Sequence, residues 1–122
     1  MKQLLFLALM VFAANFALSQ DTIRPKELLF FSNDGCGKCQ TAQLYFESHA
    51  MPFTKYPVKE NRTLMYEYVH RKTGGKNVGV GYPVLVYGDS IYFSIKNMNS
   101  VLMEIEQMMK SDGLLKDDHE TN

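Results

Sequence analysis

Phe30-Phe31-Ser32-Asn33-Asp34-Gly35-Cys36-Gly37-Lys38-Cys39 is the stretch that decides how this chain of 122 residues folds. An apolar run gives way to a short polar turn, and two cysteines stand where a helix should begin. They are the only two cysteines in the sequence. A step of three residues on a helix puts both sulfurs on one face about one turn apart, within reach of a disulfide. The first sulfur lies at the expected helix N-terminus, where unpaired backbone N–H groups favour an anion. That placement predicts an acidified Cys36 thiol with a raised thiolate fraction, and the thiolate is the nucleophile. Cys39, one turn further in, is expected to face the core and to resolve a mixed disulfide. The pair therefore points to thiol–disulfide exchange. Its bland alternative is a static structural disulfide, but so small a loop constrains the unfolded chain little. Gly37 and Lys38, between the cysteines, are expected to tune the pair. Lys38 adds positive charge near the thiolate, and Asp34 would oppose it.

Before this stretch, residues 27–32 hold a short continuous apolar run, the pattern of a strand covered on both faces. Earlier still, Lys2, the apolar run 4–14 and the ending Ala17-Leu18-Ser19 have the form of an export signal. Residues 1–19 are read as a signal peptide cleaved after Ser19, and 20–122 as one domain. The apolar run is shorter than the ~20 residues a spanning helix needs and is interrupted by Asn15, so no stable membrane anchor is expected. Export, periplasmic or secreted, implies an oxidising compartment in which a disulfide persists.

Beyond Cys39, the residues Ala42, Phe46 and Ala50 continue an inward helical stripe, which Met51-Pro52 ends. Residues 53–58 read as a strand, and Pro57, having no N–H to donate, assigns it to a sheet edge. Asn61 is the expected cap of a second helix with Leu64, Met65, Tyr68 and Val69 inward and Gly74 as its stop. A glycine-rich connector, 74–81, leads to a hairpin of 82–87 and 91–95 turning at Gly88-Asp89-Ser90. Asn97 or Asn99 caps a last helix, with Val101, Leu102, Ile105, Met108 and Met109 on one side, Gly113 at its end and a polar tail at 117–122. The order β-α-β-α-β-β-α gives an α/β fold, with a four-stranded mixed sheet flanked by helices.

Charge narrows the function further. The sequence has 13 basic and 13 acidic side chains, so no basic field exists to hold nucleic acid. The connector glycines lack a lysine-serine ending, so phosphate binding is unsupported. His49, His70 and His119 have no partner spacing with the cysteines and read as surface or helix-face residues. Two cysteines are too few for a closed zinc site in one chain. A dimer giving two thiolates from each copy could hold zinc, copper(I) or an iron–sulfur cluster. A metal-free monomer is the expectation, and a redox-inactive binding module is the third reading.

The Cys36-Gly37-Lys38-Cys39 motif opening the first helix, the spacing to the edge strand and Thr73-Gly74-Gly75 ahead of Pro83 together resemble the thioredoxin superfamily, most closely a glutaredoxin. The resemblance covers nearly all of 20–122. It implies a thioredoxin-like fold and a thiol-disulfide oxidoreductase with a redox-active Cys36–Cys39 disulfide and a dithiol mechanism. Protein or small-molecule thiols and disulfides would be its partners. It further implies a cis Tyr82–Pro83 peptide beside the cysteines, with the Tyr82 main chain holding substrate and Pro83 fixing the geometry. Two features depart from the glutaredoxin pattern. Asn33 stands where many glutaredoxins carry a basic residue, and 94–99 lacks their Gly-Gly pair and following acid. Both weigh against glutathione, and no other cofactor is expected. The thioredoxin Trp-Cys-Gly-Pro-Cys signature is absent, and Phe30 stands near the position of that family's buried acid.

Overall fold

A computed structural model describes residues 26–116. The expected signal peptide, the lead-in to residue 25 and the tail 117–122 lie outside the described residues. The elements run β1 (Leu28–Ser32), α1 (Gly37–Ser48), β2 (Thr54–Pro57), a 3-10 turn (Val58–Glu60), α2 (Arg62–Thr73), β3 (Val84–Tyr87), β4 (Ser90–Tyr92) and α3 (Met98–Ser111). The fold is α/β, with one open mixed sheet ordered β2-β1-β3-β4 and three helices. β1 pairs parallel with β2 and antiparallel with β3, and β3 pairs antiparallel with β4. Among the described residues no helix is long and apolar enough to cross a membrane.

Side chains alternate across a strand, so a continuous apolar strand must be covered on both faces. β1 does this: Leu28, Leu29, Phe30 and Phe31 are all buried. Leu28 and Phe30 join Leu85 and Tyr87 of β3 in one cluster with Cys39, Ala42 and Phe46 of α1 and Leu102, Ile105 and Met109 of α3. Leu29 and Phe31 join Val84 and Val86 on the other face, against Val58 and Met65 and Val69 of α2. The Phe30 ring meets Phe46 and Phe53 edge-on, with centroids 5.7 and 5.8 Å away. Phe31 stacks on Tyr56 at 5.2 Å. The inward faces expected for α2 and α3 are thus observed, with Leu64, Tyr68, Val101 and Met108 packed at their margins.

Several local expectations are corrected. α1 ends at Ser48, and Ala50 has a left-handed backbone with φ of 53° and is exposed. Met51, bonded back to the Phe46 carbonyl, fills the buried slot instead. β2 does sit at a sheet edge, but Phe53 precedes it and Val58 already opens the 3-10 turn. Asn61 occupies the cap position of α2 without capping it, because its Nδ2 donates to the Pro57 carbonyl. Gly74 ends α2 in the left-handed conformation, as its place in the sequence required. Asn97 caps α3, accepting the Ser100 N–H at 3.2 Å.

Polar ties hold the helices at the far end from the cysteines. Tyr45 of α1 donates its hydroxyl to Glu106 of α3 at 2.6 Å. Burial, the Glu106 hydrogen bond and its charge push the Tyr45 hydroxyl up to about 12. His49 stacks on Tyr45 and approaches the second Glu106 oxygen at 2.9 Å. Tyr87 similarly donates to Asp112, which also pairs with Lys26 at 3.4 Å. Burial and that carboxylate raise the Tyr87 hydroxyl, while the Tyr87 hydrogen bond draws Asp112 below the usual carboxylate range.

Candidate active site

The chain leaves β1 at Ser32 and must turn back sharply to start α1. Asp34 and Gly35 make that turn. Gly35 has φ of 67°, a conformation in which an L side chain costs about 1–2 kcal/mol. Cys36 follows as the N-cap of α1, with extended backbone (φ −101°, ψ 107°). Its Sγ lies 3.1 Å from the Cys39 backbone N–H, the capping bond that a serine or aspartate oxygen would make. The turn thus delivers a sulfur to the positive end of a twelve-residue helix.

Cys36 and Cys39 are joined in a disulfide with their Cα atoms 5.2 Å apart. The two sulfurs differ in environment. Cys36 is half-buried at the rim, whereas Cys39 is 2 % exposed and belongs to the Phe30–Phe46 cluster. Gly37 is the first helical residue, and a Cβ there would meet nothing within 4 Å. Lys38 is an exposed residue whose Nζ donates to the Ile95 carbonyl at 2.8 Å, tying the first turn of α1 to the loop before α3.

Tyr82–Pro83 is a cis peptide. It immediately precedes β3, whose Val84 pairs with Phe31. Pro83 therefore lies beside the end of β1 from which the cysteine turn departs. It is buried, and Tyr82 packs against both core clusters, one of which also receives Cys36. Among the described residues, the main-chain N–H and C=O of Tyr82 have no hydrogen-bond partner. The structure thus brings Cys36, Gly37, Lys38, Cys39, Tyr82 and Pro83 to one end of the sheet. That is the carboxyl end of the parallel pair β1–β2, where open α/β sheets place their sites.

On the β2 side a cleft of about 250 Å³ adjoins the disulfide. Asn33, Asp34, Gln40, Gln43 and Lys55 line it with polar groups. Reading the sequence did not single out Gln40, Gln43 or Lys55, because nothing in their spacing ties them to the cysteines. It also missed Gly81, Ser94 and Ile95, which bond across the other side of the site. Among the described residues no polar or charged side chain is buried, and no group of three His, Cys, Asp or Glu residues converges.

No protein-family model, curated protein or solved structure matches this chain. The chemistry open to the site is that of its own residues: a helix-capping sulfur, a buried sulfur bonded to it, and an unpaired main-chain segment alongside.

Proposed function

We propose that the protein is a thiol-disulfide oxidoreductase of glutaredoxin-like, thioredoxin-type fold, acting after export through the Cys36–Cys39 pair. The observation that carries this reading is the asymmetry of the two sulfurs. One caps a helix at the rim under an N–H donor, and the other is closed into the core one turn away. A static disulfide needs no such difference, whereas exchange does, because one sulfur must meet the substrate and the other must wait.

In the reducing direction, the Cys36 thiolate attacks one sulfur of a substrate disulfide. The substrate S–S bond breaks, and its leaving sulfur departs as a thiolate that takes up a proton. Cys39 then loses its proton and attacks Cys36 Sγ, which forms the Cys36–Cys39 disulfide and releases the second substrate thiol. Two electrons and two protons pass from the protein dithiol to the substrate, and an external thiol reductant resets the pair. The reverse sequence oxidises a substrate dithiol. The Cys39 N–H and the α1 dipole stabilise negative charge on Cys36 Sγ, and burial disfavours it on Cys39. The unpaired Tyr82 main chain offers one donor and one acceptor to an extended substrate, with Pro83 holding that segment in place.

Alkylation of the reduced protein tests the division of labour. Iodoacetamide below neutral pH should label Cys36 first, read by peptide mass. Faster labelling of Cys39 would overturn the assignment of nucleophile and resolving thiol.

A further inference from the structure

Between β4 and α3 the chain passes through Ser94, whose backbone is left-handed with φ of 50°. Ser94 donates its N–H to the Gly81 carbonyl at 2.9 Å, and its Oγ accepts the Gly81 N–H at 2.8 Å. The approach is close: a Cβ on Gly81 would stand 3.1 Å from Ser94 Cα and 3.2 Å from Ser94 Oγ. The next residue, Ile95, is 6 % exposed, and its carbonyl takes the Lys38 ammonium. One loop therefore ties to the first turn of α1 through Lys38 and to the Tyr82–Pro83 segment through Gly81.

This grip decides what the segment can offer a partner. Both main-chain groups of Gly81 are occupied by Ser94, and Pro83 has no N–H. Tyr82 is left as the one residue of the three with a free donor. Resting on the exchange reading above, we propose that Ser94 is a positioning residue that presets the Tyr82 main chain for an extended polypeptide disulfide. Small disulfides without a backbone to pair would not depend on it. Ser94 acts through its two hydrogen bonds to Gly81.

The test compares two substrates, with dithiothreitol as the reductant that resets the protein. One is a cystine-bridged peptide; the other is hydroxyethyl disulfide, which has no peptide backbone. Ser94→Gly removes the hydroxyl acceptor while accommodating the left-handed backbone, and Ser94→Ala removes the hydroxyl without that ease. Both variants should raise KM for the peptide about threefold to tenfold, the size of one lost hydrogen bond, with kcat little changed. KM for hydroxyethyl disulfide should stay at the wild-type value, and the Gly81 amide should exchange its hydrogen faster. An unchanged peptide KM in Ser94→Gly, or equal shifts for both substrates, would overturn the role of Ser94 while exchange itself stood. A wild type inactive on both substrates would instead overturn the exchange reading and this assignment with it.

Discussion

Cys36→Ser is expected to abolish disulfide turnover, whereas Cys39→Ser should attack substrate and stop there as a covalent mixed disulfide. The difference follows from position. Cys36 is the half-buried sulfur at the N-cap, and without it no thiolate reaches a substrate. Cys39 is closed against Phe30 and Phe46 and has a single reachable electrophile, Cys36 Sγ. With Cys39 gone, nothing in the chain can displace the bound substrate, because these are the only two cysteines. Neither variant should unfold the domain, since closing so short a loop contributes only about 2 kcal/mol in the chain-entropy account. The measurement is non-reducing mass analysis after mixing with a peptide disulfide, beside turnover assays. Residual turnover in Cys36→Ser, or no adduct with Cys39→Ser, would reverse or remove the assigned roles.

Phe30→Ala should destabilise the protein by about 3–5 kcal/mol, the cost of truncating a fully buried phenylalanine. Against a total stability of about 5–15 kcal/mol, that is a large share of what holds the domain folded. Phe30 is 0 % exposed in the central strand, and two aromatic rings meet it edge-on. Its loss opens a cavity in the same cluster that seals Cys39. Urea unfolding gives the stability change. Alkylation of the reduced variant gives the second readout, since Cys39 should react faster than in the wild type. A loss below about 1 kcal/mol would mean the cluster repacks around the gap, contrary to its close aromatic geometry.

Much of the architecture was legible because the strongest signals were local. The unbroken run through Phe30 and Phe31 required a strand covered on both faces, and the two core clusters divide along its alternation. Pro57 assigned β2 to an edge, and Gly74 assigned the stop of α2, each through a backbone property that no neighbour can override. Asn61 shows the limit of that logic. Its position was right, but its amide found the Pro57 carbonyl instead of the helix N–H groups. Ala50 fell off its stripe because α1 stopped two residues earlier than the periodicity allowed.

At the site, the cysteines announced themselves by spacing, and Tyr82–Pro83 by resemblance. The Gly81–Ser94 and Lys38–Ile95 bonds did not, for they join residues 13 and 57 positions apart. Ser94 was read as part of a strand, and only its left-handed turn after β4 brings it onto Gly81. No periodicity within either segment carries that information.

The central claim is that Cys36 and Cys39 form a working redox pair, and equilibrium titration of the disulfide tests it most directly. The protein would be poised in dithiothreitol or glutathione buffers of graded potential, quenched with an alkylating agent and weighed. Mass is the suitable signal, because the chain has no tryptophan to report the change. The expected result is one reversible two-electron transition above about −300 mV, with the same far-UV circular dichroism on both sides. A disulfide that resists reduction below about −300 mV, or a chain that unfolds when reduced, would contradict it and leave Cys36–Cys39 as a structural staple.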